Sequence, residues 1–443
     1  MIQVLLHSVR DAVWSLPFLG FIVFAGCIMT IALKFIQFTH FFASWRSALG
    51  GSDTEQNDTQ SDMSPFQAFL SALSVSIGNG CLAGIATALY LGGPGATLWI
   101  FVIGLLGMAL RFAEVFLGVT FALFNKKSGH TKLGGPFLYI DTLPLGKVLA
   151  VTYAAACLFY GVASGNAMQC NSISTALHNV TGLPTLIIGL LLACFMLYVM
   201  LGGAKRIVKV TDAIVPVKVG LFFSTMIFVL LYYWSGIIPA ISLIIESAFS
   251  PAAATGGVVG IGVQKLFAIS ASRTINASES GLGTAAIFYG NTGSTKPYHD
   301  GLSGMLSTFI SNNVVSVLVA LALTVSGAWN SGLDGAAMVV FAYQSVFGVI
   351  GGWIVALLSI TFGLGVFVAY GYVTRQCWLY LTNGRFESIF IALFAVIAFI
   401  GSVTEIQMVW AAVDLGVAAC LTINVVALLY LIPVMRKQMK AQA

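Results

Sequence analysis

Residues 64–91 read SPFQAFLSALSVSIGNGCLAGIATALYL, a run apolar and long enough to cross a bilayer that carries Gly78-Asn79-Gly80 near its midpoint. Glycine costs roughly 1 kcal/mol relative to alanine in a helix interior, and two of them around an asparagine free backbone N–H and C=O groups in mid-span. Hydrocarbon cannot satisfy those groups. Such a break holds only where it faces protein or a watery cavity, and the exposed half-helix ends then present dipoles and carbonyls to a solute or an ion. The stretch therefore predicts a broken membrane helix with a cavity at its middle.

The rest of the composition agrees with a membrane setting. Hydrophobic residues are 58% of the 443, and charged ones 8%, with a mean hydropathy of +0.96. That excludes a water-exposed globule and predicts an all-α polytopic membrane protein. The net charge of +5 is scattered between apolar runs rather than clustered, so it reports topology and implies no nucleic-acid partner. Seven cysteines (Cys27, Cys81, Cys157, Cys170, Cys194, Cys377, Cys420) stand singly in apolar runs, without metal spacing, and read as packing thiols. All five histidines (His7, His40, His130, His178, His299) fall near span ends. No nucleophile, base or metal cluster of an intramembrane enzyme emerges. The first apolar run has Arg10 ahead of it and continues past Cys27 to about Ile36. That exceeds the roughly 7 to 15 residues of a signal peptide's apolar core, so it is expected to stay as a membrane helix.

Apolar runs of about 20 residues give eleven candidate spans, near 13–36, 64–91, 95–123, 147–176, 183–202, 210–236, 238–270, 301–326, 350–378, 386–402 and 406–433. The seventh is interrupted by Pro251 and Gly256-Gly257, a second broken helix. With the first span set aside, the two broken spans open each half of five, about 180 residues apart. A pair of interrupted spans at corresponding positions is the pattern of inverted repeats around a mid-membrane site. The predicted division is an extra helix with an acidic cytoplasmic linker (1–63), a first repeat (64–236), and a second repeat with a short basic tail (237–443).

Placing the carboxyl terminus in the cytoplasm puts Arg46, Lys126, Lys127, Lys205, Arg206, Lys209, Arg375, Arg436 and most other basic residues inside, with Arg10 outside. The amino terminus is then external, in a multi-pass inner (plasma) membrane protein. Lys205, Arg206 and Lys209 read as orientation determinants that touch lipid headgroups. Residues 334–347 are expected to form a short helix over the outer vestibule.

Several motifs resemble one family. Phe66-Gln67-Ala68-Phe69 before the break, Leu91-Gly92-Gly93-Pro94-Gly95-Ala96, Gly134-Gly135-Pro136-Phe137-Leu138-Tyr139-Ile140, Gly165 through Asn171, Gly202-Gly203-Ala204-Lys205-Arg206-Ile207, Arg273 through Gly283, and the late Asp414 with Asn424 are similar, in order, to the alanine or glycine:cation symporters. The resemblance implies a leucine-transporter type fold with one extra leading helix. It also implies sodium-driven uptake of alanine, glycine or similar small amino acids. Several positions depart from that pattern. The family's Gly-Thr-Gly-Asn is here Gly78-Asn79-Gly80-Cys81, and its Ser-Asn-Glu-Ala-Gly is Ala277-Ser278-Glu279-Ser280-Gly281. The family's aspartate is here Ser311, its Thr-Thr or Ser-Thr pair aligns near Gly365-Val366, and its aromatic in the second break is Val258. Fewer oxygens remain for a hard cation, which leaves sodium and proton coupling both open.

A zwitterionic amino acid needs donors for its carboxylate and acceptors for its ammonium. Backbone groups near Gly78, Asn79, Gly80, Gly256, Gly257 and Val258 are the expected substrate-binding positions, alternatives to mere close helix packing. Carbonyls near Ser76 and Ile77 are expected to face the ammonium or a coupling cation. Gln169 matches the family position that reaches the bound amino acid, and with Asn166 and Asn171 it puts three carboxamides in six residues. Interhelical hydrogen bonding is the competing role for those amides. Asp414 and Glu279 are the candidate protonatable carboxylates, with a salt bridge to Arg273 the competing role for Glu279. Asn424 is expected to support the break, and Arg111 and Glu114, spaced i,i+3, to pair structurally. Val258 in place of an aromatic predicts acceptance of serine. No cofactor beyond a coupling ion is expected, and no oligomeric state follows from the sequence.

Overall fold

A computed structural model describes residues 14–50, 61–127, 133–249, 263–404 and 407–440, and among these the regular structure is helical throughout. The helices in chain order are α1 (Leu16–Ala32), α2 (Phe41–Leu49), α3 (Pro65–Ser76), α4 (Ile85–Gly92), α5 (Ala96–Lys127), α6 (Pro136–Ile140), α7 (Gly146–Tyr160) and α8 (Gln169–Thr181). They continue as α9 (Thr185–Leu201), α10 (Gly203–Tyr232), α11 (Ile237–Phe249), α12 (Val263–Ser278), α13 (Thr284–Gly290), α14 (Pro297–Thr308) and α15 (Val317–Val325). The last five are α16 (Gly335–Phe347), α17 (Val349–Thr382), α18 (Glu387–Val403), α19 (Gln407–Tyr430) and α20 (Ile432–Lys440).

The deciding stretch begins with a capping box. Ser64 Oγ accepts the Gln67 N–H at 3.2 Å while Gln67 Oε1 accepts the Ser64 N–H at 2.8 Å, and Pro65 takes the first helical position. The helix stops at Ile77. Its axis then turns by 49° into the segment Gly80–Gly92, which opens with a wide π-helical turn, Gly80–Gly84. Two further wide turns interrupt long helices, Gly161–Met168 between α7 and α8 and Phe309–Ser316 between α14 and α15. Such turns displace backbone carbonyls from the regular ladder and recur at functional sites.

Among the described residues, five helices are long and apolar enough to cross a membrane, and two bent pairs raise the number to seven. The other expected crossings are shorter: α1, α9 and α18 have 17 residues each, about 26 Å of rise against roughly 30 Å of hydrocarbon. Large apolar side chains cover the outer surface, among them Leu186, Leu190 and Leu201 of α9 at 59%, 55% and 69% exposure. A water-soluble surface would not carry that belt. The sixth span starts at Gly203, seven residues before the expected 210, because Lys205, Arg206 and Lys209 end the apolar window without ending the helix. Arg206 lays its guanidinium over the Tyr198 ring at 4.6 Å and donates to the Tyr198 carbonyl, so the charged turn packs against α9.

The order of elements repeats. Among the described residues, two short helices, a long helix, a short helix and three further helices run from α3 to α10, with α7/α8 counted as one, and again from α11 to α19, with α14/α15 counted as one and α13 the one addition. The expected short helix at 334–347 is α16, packed over α4 and the turn before it. On one side α5 packs against α1, α12 and α14; on the other α17 packs against α7, α8 and α10, and α9 against α18. The break in α3/α4 lies where the two sides meet.

Candidate functional site

A small cavity opens at the break, about 50 Å³, room for a few water molecules. Gly78, Gly80 and Cys81 line it from the break, Asn276, Arg273 and Glu279 from α12 and the residue after it, and Tyr160, Ser164 and Gln169 from the wide turn on α7/α8. Val366 of α17 and Val413 of α19 close it with apolar surface. A polar rim with apolar walls is the usual make-up of a small-molecule site.

The amide of Asn79 spans this boundary. Its Nδ2 donates to Gln169 Oε1 at 3.4 Å and its Oδ1 accepts from Ser359 Oγ of α17 at 2.9 Å. Gln169 Nε2 donates in turn to the Ser164 carbonyl at 3.2 Å, a carbonyl inside the wide turn Gly161–Met168. The three carboxamides of α8 and its preceding turn thus divide. Asn166 Nδ2 donates to the Phe394 carbonyl at 2.7 Å, and Asn171 Nδ2 to the carbonyls of Gly401 and Thr404 at 3.1 and 2.6 Å. Asn166 and Asn171 are struts to α18, and Gln169 alone turns to the cavity.

Glu279 directly follows the last residue of α12 and is buried at the cavity wall. Its Oε1 accepts the hydroxyls of Tyr370 and, at 3.3 Å, Tyr160, and its Oε2 accepts Thr284 Oγ1 at 2.9 Å. Those three hydroxyls hold the carboxylate. Its backbone sits at φ 54°, in the left-handed region, a strained conformation for a residue with a side chain.

Ser76 Oγ donates to the Ala72 carbonyl at 3.0 Å and to the Ser278 carbonyl at 3.3 Å, tying α3 to α12. The Ser76 carbonyl faces the Cys81 thiol at 3.2 Å. The Ile77 carbonyl accepts Lys218 Nζ at 2.8 Å. Asn424 donates to the Gly281 carbonyl at 2.8 Å and to Glu114 Oε2 at 3.3 Å, and accepts the Tyr139 hydroxyl. Arg111 and Glu114 pair at 2.8 Å with both side chains buried. Glu114 also accepts the Gly283 N–H at 2.9 Å, and Arg111 donates to the Ser278 carbonyl and to Thr308 Oγ1. The pair and Asn424 brace the 278–283 turn that carries Glu279. Gly256, Gly257 and Val258 lie outside the described residues, as does the side chain of Asp414 on α19.

Tyr160, Tyr370 and Lys218 join the site without a motif to announce them. Tyr370 lies 91 residues from Glu279, a distance no local pattern bridges. Lys218 did carry a signal, since a lone lysine in the middle of an apolar span is a functional candidate by default.

A bundle of apolar helices with a polar cavity at a broken helix defines a membrane transporter of the secondary type. The chain belongs to the sodium:alanine symporter family, whose model matches residues 1–442. It is 30% identical over 445 residues to a sodium/alanine symporter of Methanococcus maripaludis, covering 99% of this chain and 96% of the relative. It is 28% identical over 443 residues to a putative sodium/proton-dependent alanine carrier protein of Bacillus subtilis, covering 96% and 89%. Among solved structures, a Na+-coupled sialic acid symporter superposes with a TM-score of 0.53 at 14% identity, over 92% of this chain and 82% of that one. That likeness establishes a shared fold.

Proposed function

We propose that this protein is a secondary active symporter that imports small neutral amino acids, alanine and glycine with serine, by alternating access. The observation that carries the reading is the broken α3/α4 pair, bent by 49° at a cavity of about 50 Å³. The break supplies main-chain groups, and Glu279, Gln169 and Asn79 supply side-chain acceptors and donors around it. A small polar-lined cavity of this kind suits a small solute. Gly78, Asn79, Gly80 and Gln169 are the proposed substrate contacts, together with Gly256, Gly257 and Val258, which lie outside the described residues.

Alternating access follows from the two packed sides. α3/α4, α5, α12 and α14 would rock against α7/α8, α9, α17 and α18, with the bonds of Asn79 and Glu279 crossing between them. The boundaries 64–236 and 237–443 are the proposed repeats, supported by the repeated element order. The scatter of basic residues supports a cytoplasmic carboxyl terminus. Labelled alanine uptake into proteoliposomes under an imposed cation gradient tests the function. Accumulation above equilibrium, with excess serine competing, is expected. Equilibration without accumulation would mark a channel, and no competition by serine would contradict the substrate assignment.

A further inference from the structure

Lys218 stands near the middle of α10, and its neighbours from Ala213 to Ile245 are otherwise uncharged. Its side chain is fully buried. A lysine at that depth is costly unless its charge is met. Nζ donates to the carbonyls of Ser74 and Ile77, each at 2.8 Å, and lies 3.3 Å from Ser74 Oγ. Those carbonyls close α3, at the negative end of its dipole, where a helix leaves its last oxygens without amide donors. Ser74 Oγ donates across to the Gly365 carbonyl of α17 at 2.9 Å. The ammonium thus joins α3, α10 and α17 at a single point beside the break.

The facing residues of α17 leave space for the amine and bring no side-chain oxygen. A Cβ at position 365 would stand 2.7 Å from Nζ, and neither Gly365 nor Val366 beside it carries a side-chain oxygen. The Phe362 ring also faces Nζ, its centroid 5.9 Å away. Among the described residues no carboxylate forms an ion pair with Lys218.

Of the two carbonyls expected to face a coupling cation, Ile77's is taken by Lys218 and Ser76's faces the Cys81 thiol. We propose that Lys218 is a built-in cation that takes the place of a free sodium ion at the end of α3. The symporter then works without sodium, and the small cation left to drive accumulation is the proton. A hard cation binds by replacing its hydration shell with several oxygens at once. Here the two carbonyls and the nearest hydroxyl are committed to an ammonium of the same charge, and Gly365 and Val366 offer no side-chain oxygen in exchange. The inference rests on the reading of the chain as an amino-acid symporter, and the test separates the two.

Alanine counterflow is measured in proteoliposomes of the full chain, in sodium buffer and in sodium-free choline buffer. Counterflow needs no driving gradient, so its absence in both buffers overturns the reading as an alanine carrier. Rates equal within about twofold in the two buffers are expected, together with net accumulation in choline under an inward proton gradient. A rate about tenfold lower in choline, or accumulation only under a sodium gradient, overturns the role of Lys218 while leaving the carrier reading intact. Lys218→Met keeps an unbranched stem without the charge. It is expected to lower counterflow in choline by about tenfold, with folding checked by size-exclusion chromatography. A folded variant with unchanged counterflow overturns the proposal, and the wild-type comparison of buffers decides it if the variant does not fold.

Discussion

At the scale of single residues, the two glycines of the break are not equivalent. A Cβ at Gly78 would meet Val366 Cγ2 at 2.7 Å, whereas one at Gly80 would find its nearest neighbour, the Asn276 carbonyl, at 3.8 Å. Val366 is branched and held on α17, so the first contact is relieved only by moving the break away from α17. Gly78→Ala is therefore expected to cut alanine uptake about tenfold, and Gly80→Ala to change it by less than about threefold, at matched protein amounts. Equal uptake by the two variants would show that close packing of α3/α4 on α17 is not what shapes the site. The same scale explains why Asn79 outranks an ordinary buried amide. It bonds both Gln169 and Ser359, so one side chain reports the position of two helices to the break.

At the scale of elements, the 278–283 turn is the part most dependent on buried charge. Arg111 and Glu114 are fully buried on α5, and between them they hold the Ser278 carbonyl, the Gly283 N–H and Asn424. Removing one member of such a pair leaves the other charge uncompensated, at about 3–5 kcal/mol. Arg111→Met is expected to lower the thermal unfolding midpoint in detergent and the yield of folded protein. A melting curve that coincides with wild type would contradict the bracing role. Most of these elements were legible from apolar run length, and the run beginning at Ser64 marked where α3 starts. The start of α10 was not legible, because Lys205, Arg206 and Lys209 lower the hydropathy while the helix continues beneath them. The wide turns at Gly161–Met168 and Phe309–Ser316 were not legible either. They add one residue to a turn without altering the apolar composition. The grip of Tyr160 and Tyr370 on Glu279 depends on which helices meet, which run-length reading does not provide. Lys218 was readable as a charge out of place, but its partners, two carbonyls of α3, were not.

At the scale of the molecule, the bonds that cross between the two packed sides concentrate at two levels. One level is the cavity, with Asn79 to Gln169 and Ser359, and Glu279 to Tyr160 and Tyr370. The other is the end where α3 begins. There Tyr372 and Gln376 of α17 donate to Asp62 Oδ2 at 2.9 and 3.2 Å, and Gln67 Nε2 donates to Asp212 Oδ2 at 2.7 Å. A rocking motion that opens that end has to release the second set while the first set holds the solute. Gln169 and Asn171 separate these roles on one helix. Gln169 faces the boundary, while Asn171 is bonded to the α18 backbone within one side. Uptake of labelled alanine by Gln169→Leu and Asn171→Leu, measured side by side at equal amounts of folded protein, tests the location of the site most directly. The account predicts about a tenfold loss or more for Gln169→Leu and near wild-type uptake for Asn171→Leu. Intact uptake by the Gln169 variant would contradict it.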